Sequence, residues 1–271
     1  MCAQANAETV LDRILESRRA EVEHRKKVLP ETALKYGVQA ASPLRDFVGA
    51  LSRPGLNVVA ELKPASPSRG VLREPFDAVA LAQSLEGAGA AALSVLTEPE
   101  FFRSSLKNLR DARKSVQLPV LRKDFIFDPW QVWESRANDA DSFLLIVATL
   151  PDGLLKELLT LGRELGMEPI VEVHTREELD RALAAESRII GVNNRNLKTL
   201  EVRTDTSFAL IDAIPDECIA ISESGIRTHS EMSKLRAAGF DAFLVGTRLM
   251  ASSDPAAVLG ELLGRATAQG K

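Results

Sequence analysis

Six polar clusters end or follow apolar runs in this chain: Glu61-Leu62-Lys63, Arg122-Lys123-Asp124, Glu172, Asn193-Asn194-Arg195, Glu223-Ser224-Gly225 and Gly246-Thr247. Lysines and carboxylates gathered in one place can be held in opposite protonation states, which is what paired general acid and general base chemistry requires. Glu61 and Lys63 are two residues apart, so on a strand both face one side while Leu62 faces the other. Gly225 and Gly246 leave backbone N–H groups open to an anion, as barrels do where they bind phosphate, although glycine is also the ordinary turn residue. Residues 64–70 include Ser66, Ser68 and Arg69 and could form a phosphate clamp or lid, or an ordinary surface turn.

The elements that must position these residues are legible as an alternation. Eight β-rich runs occupy residues 57–62, 91–96, 119–122, 142–147, 169–173, 188–192, 218–222 and 242–245. Between them, segments such as 77–87, 153–165, 176–184 and 230–238 repeat apolar residues at three and four, the period of helices packed on a sheet. Strand and helix in alternation require parallel pairing. Eight such units favour a single α/β domain, a closed (β/α)8 TIM barrel, over an open sheet. The chemistry of such barrels lies at the carboxyl ends of the strands, where the six clusters fall. Any one cluster could be a solvated ion pair capping a strand, but that does not explain the set. Ahead of the barrel, residues 8–27 read as an amphipathic helix with Val10, Leu11, Ile14, Leu15 and Val22 as its apolar positions. The expected organisation is one domain over 1–271, with 1–50 as an N-terminal helical extension and a linker at 30–43.

Composition narrows the function. The 271 residues are 45% hydrophobic and 27% charged, with a net charge of -4 and no long basic run. This predicts a globular chain that binds a small molecule and not nucleic acid. No apolar run approaches the roughly 20 residues that cross a bilayer, so no membrane partner is expected. Cys2 and Cys218 cannot make a disulfide framework, and the expected compartment is the cytoplasm. No trio of residues has metal-ligand spacing, and no metal is expected. His174 reads as a loop or helix-start residue beside the better-placed Glu172, and His24 and His229 as surface residues. Trp130 and Trp133, three apart, read as outer packing.

The segment from Glu61 to Gly70, Glu-Leu-Lys-Pro-Ala-Ser-Pro-Ser-Arg-Gly, resembles the indole-3-glycerol phosphate synthase signature E-x-K-x-x-S-P-S-x-G. Further matches follow in family order: Leu121 to Ile126, Glu172-Val173, Gly191 to Leu197, Ser222 to Ile226, and Phe243 to Thr247. The resemblance spans roughly residues 10–263. One departure lies at Phe101-Phe102-Arg103-Ser104-Ser105, where Ser104 stands in place of a glycine usual in the family. If that position needs a positive φ, the loop must differ.

The resemblance implies closure of 1-(2-carboxyphenylamino)-1-deoxyribulose 5-phosphate to indole-3-glycerol phosphate, with loss of CO₂ and water and without a cofactor. It implies Lys123 as general acid, Glu172 with Lys63 or Glu61 as the acid and base of dehydration, and Asn193 and Ser224 as orienting donors. It assigns Arg195 and Glu223 to the substrate or charge network, and Ser66, Gly225, Gly246 and Thr247 to the phosphate end. Phe125 is an apolar wall for the aromatic ring or a core residue. A monomer or weak homodimer is expected. The alternatives are phosphoribosylanthranilate isomerase, which would carry a cysteine at the end of the first strand, and a barrel that senses or scaffolds a phosphorylated metabolite, which would have degraded acid and base positions.

Overall fold

The computed structural model describes residues 9–197 and 199–265, so Cys2 and residue 8 of the expected first helix lie outside the described residues. Eight parallel strands close into a barrel in chain order: β1 (Asn57–Leu62), β2 (Ala92–Leu96), β3 (Val120–Lys123), β4 (Ser142–Ile146), β5 (Ile170–Val173), β6 (Ile189–Asn193), β7 (Ile219–Glu223) and β8 (Ala242–Val245), with β8 pairing back onto β1. The strands at 120–123, 189–193 and 219–223 each extend one residue further than the apolar runs suggest. Lys123, Asn193 and Glu223 are therefore the last members of the ladder.

Helices α1 (Val10–Val28), α2 (Glu31–Gln39) and α3 (Phe47–Leu51) precede the barrel, which is surrounded by α4 (Ala78–Gly87), α5 (Leu106–Ser115), α6 (Pro129–Ala137), α7 (Asp152–Glu164), α8 (Arg176–Ala184), α9 (Asp205–Leu210), α10 (His229–Ala237), α11 (Thr247–Met250) and α12 (Pro255–Leu262). Side chains that satisfy orphan N–H groups start several of them: Thr9 and Thr228 in capping boxes, Asp77, Ser105 and Thr175 alone, and Asp128 and Asp254 ahead of a proline at the first helical position.

Alternation along each strand divides the core in two. Val58, Ala60, Leu62, Phe143 and Val171 face the helices, whereas Val59, Leu121, Leu144, Ile170, Ile189 and Ile221 fill the barrel interior. The same alternation sends Lys123 inward and Arg122 outward. Arg122 is fully buried and donates to Asp124 at 2.9 Å, Glu134 at 2.8 Å and the Gln131 carbonyl at 3.1 Å. It is a structural ion under α6, not a residue of the barrel mouth, and its partners offset the cost of removing a cation from water.

The expected linker at 30–43 is instead largely helical. Pro30 ends α1 and is also the N-cap of α2, and Leu34 packs with Val22 and Trp130. Gly37, which reads as a helix breaker, marks the crossing of α2 with α6, where a Cβ would lie 3.2 Å from that of Ala137. Trp130 is outer packing as expected, 2% exposed, with its indole N–H donating to the Leu29 carbonyl at 2.9 Å. The glycine-to-serine departure has no backbone consequence of the kind expected. The positive φ in that loop, 53°, belongs to Arg103, while Ser104 is buried and its hydroxyl donates to the Leu96 carbonyl.

Candidate active site

At the carboxyl ends of the strands lies a cavity of about 770 Å³, a size suited to a small-molecule substrate. Every residue singled out for the site lines it: Glu61, Lys63, Ser66, Lys123, Phe125, Glu172, Asn193, Arg195, Glu223, Ser224, Gly225, Gly246 and Thr247. A larger groove of about 890 Å³ between α7 and α8 is shallow and faces outward, away from these residues.

Lys123, on the last position of β3, is the centre of charge. Its ammonium donates to Glu223 at 2.6 Å and to Glu172 at 3.0 Å. Burial alone would pull its pKa down, but Glu172, Glu223 and Glu61 together hold it well above the usual lysine range. The two carboxylates diverge. Burial also works against ionisation of Glu172, yet Lys123 and His174 outweigh it and keep Glu172 below the usual carboxylate range. Burial pushes Glu223 up to about 7 despite Lys123, because the charge of Glu172 faces it as well. One oxygen of each, Glu172 Oε1 and Glu223 Oε1, has no protein hydrogen-bond partner, and neither has Ser66 Oγ. Of these, Glu223 Oε1 and Ser66 Oγ have no charged donor among the described residues facing them, whereas Glu172 Oε1 faces His174 Nε2 at 3.5 Å.

At the end of β1, Glu61 and, just beyond the strand, Lys63 face the cavity together, and Lys63 donates to Glu61. Asn193 lies beside Glu172 and favours its ionised form, and its Oδ1 accepts from the Arg195 backbone N–H at 2.9 Å, turning the chain after β6. The neighbouring Asn194 serves the scaffold: its amide donates to the Glu223 and Ser224 carbonyls at 3.0 and 3.1 Å. The turn it braces holds Ser224 at φ 65° and Gly225 at φ 83°. A left-handed serine is strained, and it persists because the surrounding contacts determine it. Gly225 is required twice over, by its φ and because a Cβ would lie 2.8 Å from Val202.

Two glycines facing the interior make room for carboxylates. A Cβ at Gly191 would lie 2.3 Å from Glu223 Oε1, and one at Gly246 would lie 2.1 Å from Glu61 Oε1. Gly246 thus has a packing duty that its reading as a phosphate residue does not include.

Of the apolar half of the cavity, the sequence singles out Phe125 alone. Val10, Leu11 and Ile14 of α1 form part of its wall, with Phe102, Phe125, Ile146 and Leu244. Phe125 is both wall and core, 8% exposed, with its ring 6.3 Å from that of Phe102. Helix α1 is fixed over the mouth by Arg18, 1% exposed, whose guanidinium donates twice to Asp124 at 2.9 and 2.7 Å. A charged residue four positions after Ile14, on the apolar stripe, was the available signal for this anchor. His174 lies in the turn before the N-cap of α8, as its reading as a loop or helix-start residue has it, and its side chain stands 3.5 Å from Glu172.

Comparison with known proteins gives one consistent result. Residues 11–262 match the family model described as indole-3-glycerol phosphate synthase. The chain is 46% identical over 259 residues to the indole-3-glycerol phosphate synthase of Mycobacterium sp. (strain KMS), covering 96% of this chain and 95% of the relative. It is 45% identical over 258 residues to that of Laribacter hongkongensis (strain HLHK9), covering 93% and 98%. Among solved structures, 3-hexulose-6-phosphate synthase from Salmonella typhimurium superposes with a TM-score of 0.62 at 12% identity, over 77% of this chain and 97% of that one, a likeness of fold.

Proposed function

The chain belongs to the indole-3-glycerol phosphate synthase family, and from that premise we propose how its own residues divide the reaction. The reaction converts 1-(2-carboxyphenylamino)-1-deoxyribulose 5-phosphate, a phosphorylated small molecule, into indole-3-glycerol phosphate, CO₂ and water. The ring carbon bearing the carboxylate attacks the ketone, CO₂ leaves to restore aromaticity, and dehydration completes the indole.

Lys123 is the general acid of ring closure. An ammonium whose pKa is held above the lysine range does not lose its proton to water near neutrality, but an alkoxide is a strong enough base to take it. Its charge also stabilises the oxyanion as it develops in a buried site. Dehydration needs a proton removed and a hydroxyl protonated. Glu172, kept ionised, is suited to the first duty; Lys63, paired with Glu61 on the opposite side of the ring of strands, is suited to the second. Asn193 and Ser224 orient the substrate through hydrogen bonds, and Arg195 and Glu223 complete the charge network. Ser66, Gly225, Gly246 and Thr247 take the phosphate, and Phe125 packs against the aromatic ring. No cofactor or metal is required by this chemistry.

The observation that carries this assignment is one ammonium, that of Lys123, held between two buried carboxylates, 2.6 Å from Glu223 and 3.0 Å from Glu172. It is tested with Lys123→Ala: turnover followed by indole fluorescence is expected to fall by at least about 10³-fold while a product analogue still binds. Near-normal turnover refutes the assignment.

We further propose that the protein acts in the cytoplasm as a monomer or weak homodimer. In support, Cys218 carries a free thiol, and the exposed large apolar residues among those described, Val28, Tyr36, Val48, Val71, Val79 and Phe208, are scattered over separate elements. No described helix is long and apolar enough to cross a membrane. Sedimentation at micromolar concentration tests the oligomeric state.

A further inference from the structure

His174 lies just beyond β5 with one carboxylate at each ring nitrogen. Nδ1 is 3.3 Å from Glu178 Oε2 on α8, and Nε2 is 3.5 Å from Glu172 Oε1. Glu178 also accepts from the His174 backbone N–H at 2.6 Å, so the residue is held at two points and the ring's orientation is fixed. Nε2 and Glu172 Oε1 are both buried, neither has a hydrogen-bond partner among the described residues, and they face each other at 3.5 Å.

A neutral imidazole has one N–H and one lone pair, and so can donate to only one of two flanking carboxylates; its lone pair would face the other. Only the imidazolium donates on both sides. The charged groups around the ring are Glu172 from its own strand, Glu178 from α8 and Glu223 from across the barrel, all acidic, with the Lys123 ammonium lying beyond Glu172. Burial works against a charged ring, but these carboxylates outweigh it and raise the pKa of His174 above the ordinary 6.5.

We infer that His174 is a positioning residue for the reaction: as an imidazolium bridging Glu178 and Glu172, it fixes the second oxygen of Glu172, whose first oxygen is fixed by Lys123. Glu172 is then held from both ends in the ionised state that proton abstraction needs. This rests on the role given to Glu172 above. Raising the pH through the elevated pKa of His174 leaves one N–H, which the closer Glu178 contact at 3.3 Å retains, so Glu172 loses one of its two donors and kcat falls on the basic side before Lys123 titrates.

The direct test is a ¹³C NMR titration of the histidine Cε1 atoms. The chain has three histidines, His24, His174 and His229, so one spectrum lacking a signal in His174→Gln assigns the resonance. His174 is expected to titrate above 6.5 and to move downward in Glu178→Gln and in Glu172→Gln. Titration at or below 6.5, or no response to either substitution, overturns the bridge. In kinetics, His174→Gln keeps a donor that does not titrate and is expected to retain most of kcat while losing the basic limb. His174→Leu is expected to lower kcat about tenfold with little change in KM, the scale of one hydrogen bond to a charged group. An unchanged pH profile in His174→Gln, with full kcat in His174→Leu, overturns the positioning role. Near-normal turnover of Glu172→Gln is a different result, one that removes the role of Glu172 and with it that of its positioner, while the titration alone still decides whether the bridge exists.

Discussion

Gly246 offers the sharpest discrimination between a residue that serves phosphate and one that serves catalysis by leaving space. Its φ of −125° is negative, so alanine meets no left-handed penalty there, although with ψ −70° the backbone lies outside the main α and β regions and adds some cost to the shortage of room. The added Cβ would lie 2.1 Å from Glu61 Oε1, 2.8 Å from Cδ and 3.0 Å from Cβ. Ordinary contact begins near 3.4 Å, so the carboxylate must retreat by more than 1 Å. Because the Glu61 Cβ is itself crowded, rotation of the far end alone does not relieve the contact. Overpacking of this kind costs about 1–3 kcal/mol of stability. A catalytic group displaced by about 1 Å loses on the order of 10² in rate.

Gly246→Ala is therefore expected to lower kcat about 100-fold with a KM within about threefold of the parent, read from indole fluorescence across substrate concentration. Urea denaturation of the same variant should show a loss of about 2 kcal/mol, most of which Glu61→Asp in the same background recovers by shortening the side chain. Gly246→Asp would be a poorer probe, since it adds a charge beside Glu61 and mixes the two effects. The result that refutes the reasoning is an intact kcat with a sharply raised KM, which would make Gly246 a phosphate residue alone.

Two further outcomes concern the anchor of the leading helix. Arg18→Met removes the bidentate partner of Asp124 and should cost about 3 kcal/mol in urea denaturation, tempered by the remaining Arg122 and Thr97 bonds, and should raise KM because Leu11 and Ile14 ride on the same helix; unchanged stability and KM would dismiss the anchor. Burial raises the pKa of Asp124, but Arg18 and Arg122 outweigh it and leave the carboxyl below its ordinary value. The native state then binds fewer protons than the unfolded chain, so this stabilisation is full above about pH 4 and is lost as pH falls through the depressed value; Asp124→Asn should flatten the acid limb of stability below about pH 4, and an unaltered limb would contradict it.

The barrel was legible because strand and helix periods alternate eight times and each polar cluster interrupts an apolar run at one end. The charged half of the site followed from position, since a residue ending a barrel strand has few places to point. Beyond Phe125, the apolar half did not, because Val10, Phe102, Ile146 and Leu244 come from separate elements and look like any core residue until the barrel closes. Helix α2 was hidden by its length of nine residues, by Pro30 at its start and by Gly37 within it, both of which read locally as interruptions. The contacts of His174 are hidden for a similar reason: its two carboxylate neighbours are a strand residue and a helix residue whose approach depends on the turn between them.

What the structure adds to the polar clusters is asymmetry between chemically equal groups. Glu172 and Glu223 are both buried glutamates bound to one ammonium, and residue type alone would give them the same duty. Glu172 also faces His174 and has Asn193 beside it, whereas Glu223 has Lys123 alone and looks toward the charges of Glu172 and Glu61. Neither can turn away to restore the balance on the Glu223 side, since Gly191 leaves it only the space of a missing Cβ. The consequence is a carboxylate that stays ionised next to one that titrates at about 7. The surroundings of the two glutamates, built from a histidine, an asparagine and a glycine, thus favour the ionised form of Glu172 and oppose that of Glu223, which is the difference the roles proposed for them require.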